Sequence, residues 1–268
     1  MKIMFIGTSS NVGKTLISAV FCRYLRSKML SAVPFKAVSI SPETFITDDG
    51  AEIDTGQALR SWACDRIPSA KINPIRVKMT KDGRRTYVCR DGREICGRDE
   101  PMSSALDAFD SLCDLYDAVV AEGSGSAADT ELYDQDVADI EFAASRNIPM
   151  ILVGDIERGG VFAALYGTWR LIDEKRRHLL KGFVINKYSG NVDVLKSGIE
   201  KIESLTGMRC FGVIPLTDAR LPLGEDREDG ISAFSDGEID SFVRTLDEML
   251  DKIKDSTDME GIMKLMAE

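Results

Sequence analysis

The feature that most constrains this chain is a glycine-rich loop near its start, Gly7-Thr8-Ser9-Ser10-Asn11-Val12-Gly13-Lys14-Thr15. An apolar run at residues 2–6 precedes the loop and a helical pattern follows it, so the loop joins a strand to a helix. In such a turn, backbone N–H groups and the helix N-terminus face one point and attract phosphate. The spacing G-x5-G-K-T, one residue longer than the commonest form, predicts a P-loop.

A P-loop implies that the chain binds a nucleoside triphosphate, here taken as ATP, together with Mg²⁺. We expect Lys14 to reach the β- and γ-phosphates and the Thr15 hydroxyl to hold the metal ion. The expected nucleotide-binding residues of the loop are Ser10, Asn11, Val12, Gly13, Lys14, Thr15 and Leu16.

Short apolar segments alternate with helical patterns through most of the chain, and this alternation predicts a doubly wound α/β fold with a mostly parallel sheet. The predicted strands cover 2–6, 33–38, 117–121, 149–154, 181–186 and 210–214. The predicted helices cover 14–28, 54–65, 102–115, 134–146, 160–174 and 192–205. Right-handed crossovers place the strand ends, and therefore the site, at one edge of the sheet.

Two regions depart from this alternation. Turn signals and a β-like segment within residues 80–98 predict a small hairpin beside the sheet. Apolar residues at spacings of three and four predict an amphipathic helix over 237–254, and a short helix is expected at 258–267. We therefore divide the chain into a P-loop domain, 1–226, and an acidic helical tail, 227–268. The tail either packs on its own domain or docks a partner.

Composition excludes several classes of function. The net charge of −10 and the lack of a long basic run argue against nucleic-acid binding, and no apolar stretch is long enough to span a membrane. The six cysteines form no C-x-x-C pair and His178 is the only histidine, so we expect buried free thiols rather than a zinc site. These features predict a cytoplasmic protein.

Charged residues at predicted strand ends are the candidate catalytic groups. Glu122 follows the predicted strand 117–121, as the acid of a Walker B strand does, and is expected to bind Mg²⁺. Lys36 ends another strand whose edge faces the phosphates. An acidic cluster before the next helix contains further candidates. Instead of serving in the site, these acids could complement the helix dipole. That interpretation suits Asp54 better than Asp49. The cluster consists of Asp48, Asp49, Glu52 and Asp54.

Two later strand ends carry further candidates. Asp155-Ile156-Glu157-Arg158-Gly159-Gly160 opens a helix with paired glycines, a geometry that favours anions. Asn186-Lys187 ends the following strand, and we expect both residues to contribute to nucleotide binding. In P-loop proteins this position can contact the base, although a simple strand-end turn is the alternative.

These motifs together resemble the ATP-dependent amidoligase domain of cobyric acid synthase, in the wider group that includes cobyrinic acid a,c-diamide synthase and dethiobiotin synthetase. The resemblance extends from about residue 3 to residue 226. Besides the P-loop, it rests on Pro34-Phe35-Lys36, Thr47-Asp48-Asp49-Gly50-Ala51-Glu52-Ile53, Gln57-Ala58, Asn73-Pro74, Glu122-Gly123-Ser124-Gly125-Ser126, Asp155-Ile156-Glu157-Arg158-Gly159-Gly160-Val161-Phe162-Ala163, Lys181-Gly182-Phe183-Val184-Ile185-Asn186-Lys187-Tyr188 and Leu221-Pro222.

The resemblance implies that ATP phosphorylates a carboxylate of a corrinoid or related tetrapyrrole, and that ammonia then displaces the phosphate to leave an amide. It implies Lys14, Lys36, Asp49 and Glu122 as catalytic residues. Thr15, Asp49 and Glu122 become the metal ligands, and Asn186 becomes the adenine contact. A small-molecule polycarboxylate is then the substrate, and we also expect a homodimer.

The sequence departs from the family pattern in ways that leave alternatives open. No glutaminase triad can be built with His178 as the only histidine, so ammonia is expected to come free or from a separate glutaminase subunit. The segments Ala37–Glu43 and Ala128–Leu132 differ from the family where substrate contacts are expected. The alternatives are a dethiobiotin synthetase-like carboxylase, a non-ligase ATP-binding paralogue and a partition-type switch ATPase. Ser9, where those ATPases carry a lysine, counts against the last.

Overall fold

The computed structural model describes residues 1–41, 43–79, 85–89, 94–95, 100–128, 139–219, 221–222 and 231–267. The strands are, in chain order, β1 (Lys2–Gly7), β2 (Ala32–Phe35), β3 (Val38–Ser39), β4 (Thr44–Ile46), β5 (Glu52–Asp54), β6 (Ile75–Met79), β7 (Arg85–Cys89), β8 (Glu94–Ile95), β9 (Ala118–Glu122), β10 (Met150–Asp155), β11 (Leu180–Tyr188), β12 (Arg209–Pro215) and β13 (Ile231–Ser232). The α-helices are α1 (Lys14–Ser27), α2 (Thr55–Ala63), α3 (Glu100–Leu115), α4 (Ile140–Ser145), α5 (Val161–Leu171), α6 (Lys196–Thr206), α7 (Asp236–Ile253) and α8 (Met259–Leu265).

A six-stranded parallel sheet in the order β12-β11-β10-β1-β9-β2 forms the centre of the molecule. Its strands are the six that the sequence predicts, which confirms the doubly wound α/β fold. After β9 the chain crosses over β1 to form β10 on the other side. The direction of winding therefore reverses at β1, and in such sheets ligands bind at the strand ends beside the reversal.

The two faces of the sheet carry separate hydrophobic cores, and alternation along β1 shows why. Ile3 and Phe5 point to the face covered by α1, α7 and α8, whereas Met4 and Ile6 point to the face covered by α3, α4 and α5. All four side chains are at most 1% exposed. Parallel strands buried on both faces are continuously apolar for this reason.

Several element boundaries differ from the sequence predictions. The strand predicted over 33–38 ends at Phe35, because the Lys36 amide donates to Ile72 O at 2.8 Å and leaves the ladder. The helix predicted over 134–146 is observed only as α4, and 129–138 lie outside the described residues. A 3-10 turn, Val192–Leu195, precedes α6. Cys22 and Cys64 are buried as expected, but Cys113 is exposed because it lies on the outer face of α3.

Two small sheets flank the central one. The predicted hairpin is part of a sheet in the order β3-β6-β7-β8, and its pairing begins at Ile75 rather than near residue 80. Its turns at 80–84 and 90–93 lie outside the described residues. The other sheet consists of β13, β4 and β5, so a segment of the tail pairs with the hairpin that leads into α2.

The C-terminal tail packs on its own domain. The apolar face of α7 is buried against α1 and α2 through Phe242, Leu246, Met249 and Ile253. Arg23 of α1 donates two hydrogen bonds to the Asp247 carboxylate, at 2.7 and 2.9 Å. The apolar face of α7 is therefore covered within the chain, while the division into a domain and a tail stays a prediction. Within the described segments, no helix has both the length and the apolar character needed to cross a bilayer.

Candidate nucleotide and metal site

The P-loop lies at the carboxyl end of β1, where its turn depends on Gly13. Gly13 has φ 96° and caps the N-terminus of α1. A Cβ at this position would lie 2.3 Å from Asn186 Nδ2, which donates to Val12 O at 2.8 Å. Positive φ and close approach both require glycine here. The end of β11 therefore stabilises the P-loop through the Asn186 side chain.

Lys14 connects the P-loop to the loop that follows β9. The side chain is only 7% exposed, and its ammonium donates to Gly125 O at 2.6 Å and to Ser9 O at 3.3 Å. Gly125 has φ 69°, so its backbone is also in a conformation that favours glycine. The lysine charge therefore lies against the loop that is expected to bind phosphate.

Four side chains from different elements meet beside this loop. The Thr15 hydroxyl donates to Glu122 Oε1 at 2.8 Å. The Lys36 ammonium lies 3.1 Å from Asp54 Oδ2 and 3.9 Å from Glu122 Oε1. We call Thr15, Lys36, Asp54 and Glu122 the acidic centre. These four residues come together because β9 lies between β1 and β2 in the sheet. The segments that follow these three parallel strands leave the sheet at the same edge.

Lys36 stays charged in this centre. Burial alone would lower the pKa of Lys36, but the carboxylates of Asp54 and Glu122 outweigh burial and raise the pKa above its ordinary value. A lysine held between two carboxylates is a localised positive charge, suited to neutralise a phosphoryl group in transfer.

Of the two acids considered in the 48–54 cluster, Asp54 lies in the acidic centre and Asp49 does not. Asp49 is exposed in the turn between β4 and β5, where its carboxylate accepts from the Thr47 hydroxyl. Asp54 is 6% exposed, and besides Lys36 it accepts the Gly56 amide at 2.7 Å as the N-cap of α2. Asp54 thus has both the capping role and a place in the centre. A metal-binding role for Asp49 stays a prediction.

Asn186 and Lys187 lie on the far side of the P-loop. The Asn186 amide is buried and supports Val12, as described above. The Lys187 ammonium donates to Asp155 Oδ2 at 2.6 Å and to Asn11 O at 3.1 Å. Both residues hold the loop that is expected to bind nucleotide. The adenine contact assigned to Asn186 stays a prediction.

The sequence did not single out two buried charged residues at this site. Asp139 accepts the Ser124 amide at 2.9 Å, and a Cβ on Gly123 would lie 1.9 Å from the Asp139 carboxylate. Arg60 lies beside Glu122 and is completely buried. A signal for Arg60 was present, since Gln57, Arg60 and Ser61 share one face of α2 at helical spacing.

The acidic centre fits Mg²⁺ bound together with a nucleotide. Among the described residues, no group of three or more His, Cys, Asp or Glu side chains could hold a metal ion alone. Mg²⁺ commonly takes one or two carboxylates and completes its shell with phosphate and water oxygens. Glu122 Oε1 and the Thr15 hydroxyl lie 2.8 Å apart, so two oxygens of the kind that Mg²⁺ prefers are already side by side. Thr15, Asp54 and Glu122 are the residues that would hold the ion.

The fold and the loop define a P-loop nucleotide-binding protein. The sequence of residues 3–226 matches the CbiA family, described as the CobQ/CobB/MinD/ParA nucleotide binding domain. Because the match covers most of the chain, the chain belongs to this family.

Relatives of known description agree with the family assignment. The chain is 38% identical to the probable cobyric acid synthase of Methanosphaerula palustris over 97% of its own length and 54% of that protein. It is also 38% identical to the cobyric acid synthase of Cutibacterium acnes, over 84% of its length and 48% of that protein. The chain therefore spans about half the length of these relatives.

Among solved structures, the signal recognition particle receptor FtsY from Elizabethkingia anophelis matches with a TM-score of 0.50 and 15% identity. The match covers 91% of this chain and 64% of that one. At this identity the likeness concerns the fold alone, and it agrees with the P-loop architecture.

Proposed function

We propose that this chain activates a carboxylate of a corrinoid or related tetrapyrrole with ATP, forming an acyl phosphate that ammonia converts to an amide. The observation that carries the proposal is the acidic centre beside the P-loop, in a chain whose relatives are described as cobyric acid synthases. Phosphoryl transfer needs little covalent chemistry from a protein, and much positioning and charge neutralisation. The centre provides both.

The residues of the chain divide this work. The P-loop backbone and Lys14 bind the triphosphate, and Lys36 offsets charge on the phosphoryl group as it moves to the substrate carboxylate. When bound, Mg²⁺ polarises the phosphate oxygens and fixes their orientation. The hydrogen bond from Thr15 to Glu122, 2.8 Å, holds both oxygen-bearing side chains in one arrangement. Their positions are therefore set before substrate arrives.

The nitrogen source is a separate part of the proposal. A glutaminase of the Cys–His–Glu type needs a histidine beside its nucleophile, and His178 is exposed and contacts Lys175 O at 2.9 Å. We propose that residues 1–268 use ammonia that is free or supplied by a glutaminase, and do not release it from glutamine themselves. Purified chain should then turn over with ammonium and fail with glutamine.

The test is phosphate release from ATP by the purified chain, with Mg²⁺ and a panel of carboxylated corrinoids, sirohydrochlorins and diaminopelargonate. Mass spectrometry of the acceptor identifies the product. We expect corrinoid-dependent phosphate release with ammonium, and replacement of an acid hydroxyl by an amino group. Lys36→Met is the matched control, because it removes the positive charge of Lys36 from the acidic centre and leaves the P-loop sequence unchanged.

The outcomes separate the alternatives. Turnover only with diaminopelargonate and bicarbonate would assign the chain to the carboxylase reaction. If the chain binds ATP but none of these acids stimulates phosphate release from ATP, the result would support a non-ligase paralogue. Efficient use of glutamine by the purified chain would contradict the proposed nitrogen source.

A further inference from the structure

Arg60 is the largest fully buried side chain of the described residues and lies directly behind the acidic centre. Its guanidinium donates to Phe35 O at 3.2 Å, to Gln57 Oε1 at 3.0 Å and to Val120 O at 2.6 Å. Phe35 immediately precedes Lys36 in the chain, and Val120 precedes Glu122 by two residues. One side chain of α2 is therefore hydrogen-bonded to both strands that lead into the acidic centre.

Arg60 also compensates the charge of Glu122. Its Nη1 lies 3.5 Å from Glu122 Oε2, close enough for an ion pair, although Oε2 has no hydrogen-bond partner. Glu122 is 2% exposed, and a buried carboxylate without a nearby cation is costly. Lys36 approaches one carboxylate oxygen and Arg60 approaches the other. Glu122 therefore lies between two cations, with Oε1 directed to Thr15.

A purely structural role explains these contacts less well. Burying a guanidinium costs several kcal/mol, and an apolar side chain of similar volume often stabilises a core equally well. Here Asp54 caps the N-terminus of the helix, and the guanidinium connects that helix to the strands that lead to Lys36 and Glu122. The fork geometry of arginine allows one charge to contact three acceptors at once, which a lysine ammonium on its single stem does not reproduce.

We propose that Arg60 is a positioning residue that fixes the orientation of Glu122 and thereby determines how strongly Mg²⁺ is bound with ATP. The inference rests on nucleotide and Mg²⁺ binding in the proposed function, and it is independent of the acceptor that is amidated. The direct effect of the Arg60 charge on Mg²⁺ is repulsive. If Arg60 acts by orienting Glu122, its removal should weaken Mg²⁺ binding. If it acts only through its charge, its removal should strengthen Mg²⁺ binding, so substitutions at this position can separate the two explanations.

The experiment measures the affinity of the full chain for a fluorescent ATP analogue over a series of Mg²⁺ concentrations, with EDTA as the metal-free reference. Arg60→Lys keeps the charge and loses the fork. We expect its Mg²⁺ affinity in the nucleotide complex to fall about 10-fold or more, the range seen when a residue supporting a metal ligand is removed. Metal-free nucleotide affinity should stay within about twofold, since the P-loop is untouched.

A matched control distinguishes orientation from general loosening of α2. Leu59→Ala removes a neighbouring buried side chain of the same helix, and should lower the melting temperature while leaving Mg²⁺ affinity unchanged. If Arg60→Lys is too unstable to purify, Gln57→Met replaces it, because it removes one hydrogen bond to the guanidinium. That variant should weaken Mg²⁺ on the order of threefold, as the loss of one hydrogen bond implies.

Two results would overturn the inference. Wild-type Mg²⁺ affinity in folded Arg60→Lys, or in Gln57→Met where that variant is used, would show that the fork does not matter. Tighter Mg²⁺ binding in Arg60→Met would show that Arg60 acts through repulsion alone. An inactive wild-type chain in the corrinoid assay would instead count against the proposed function, and would leave the binding measurement valid.

Discussion

Replacing Asp54 by asparagine tests whether this residue, rather than Asp49, is the acid that works with Thr15 and Glu122. Asp54 has two separable roles. One carboxylate oxygen caps α2 through the Gly56 amide, 2.7 Å, and the other lies 3.1 Å from the Lys36 ammonium. Asparagine caps a helix about as well as aspartate, so the substitution removes the charge and keeps the cap.

The magnitude follows from the surroundings of the pair. Breaking a fully buried ion pair costs about 3–5 kcal/mol. The Lys36 and Asp54 side chains are 13% and 8% exposed, and Lys36 keeps Glu122 at 3.9 Å. We therefore expect a smaller loss of about 2 kcal/mol, or a melting temperature lower by about 5 °C in a chain of this size. Mg²⁺-dependent kcat/KM should fall about 100-fold, since both a ligand charge and the position of Lys36 change.

The assay is steady-state ATP turnover at varied Mg²⁺, paired with thermal unfolding of the same samples. Asp49→Asn is the matched control, because that carboxylate is exposed in a turn and contacts only Thr47 among the contacts described for it. We expect the control to stay within about threefold of wild type, as surface substitutions usually do. A large loss of Mg²⁺ dependence in Asp49→Asn, with little change in Asp54→Asn, would refute the assignment made from the structure.

Three further substitutions test other parts of the structure. Gly13→Ala should lower the free energy of unfolding by about 2–4 kcal/mol and weaken ATP binding, because φ at this position is 96° and the new Cβ meets Asn186. Isothermal titration measures the ATP affinity, and a wild-type value would contradict this expectation. The raised pKa of Lys36 means that its pairing stabilises the fold fully below pH 10.5 and loses this effect as pH rises through the folded-state pKa. In urea unfolding, Lys36→Met should therefore destabilise the chain at pH 8 and lose less stability than wild type toward pH 11; parallel pH profiles would count against the pairing. Leu246→Ala, which opens a cavity under α7, should cost about 3 kcal/mol and lower the melting temperature by about 8 °C. A shift below about 2 °C would mean that the tail packs loosely.

The sequence predicts the fold well because each strand of the central sheet is short, apolar and local in its signal. The P-loop is equally local, since Gly13, Lys14 and Thr15 are adjacent and their spacing determines the turn. Glu122 follows from the same logic, as an acid at the end of an apolar strand. These predictions need no knowledge of distant contacts.

The choice between Asp49 and Asp54 could not be made in this way. The chain carries four acids within seven positions, and the register of β4 against β5 decides which of them faces the sheet. Asp54 pairs with Thr44 in that register and leads into α2, whereas Asp49 is left in the turn. The partner Lys36 lies 18 residues earlier, and such pairing depends on the tertiary fold.

Arg60 was missed for a related reason. An arginine in a short helix is usually a surface charge, and only the packing of α2 against the sheet on one side and α7 on the other buries it. Gln57 and Ser61, the polar neighbours of Arg60 on α2, were the available sign that it is buried. A polar face on a helix with apolar flanks indicates that the facing element offers hydrogen-bond acceptors.

The pairing of β13 with β4 has a consequence for how the molecule responds to ligand. Ser232 in β13 shares a hydrogen bond of 2.9 Å with the Thr55 hydroxyl, one residue after Asp54. Phe234, just beyond, packs edge-on against Trp62 of α2. We expect ligand binding that orders Asp54 to order this part of the tail as well, and such coupling between two sites is reciprocal. Amide exchange in residues 231–234 would therefore report nucleotide binding from outside the nucleotide site.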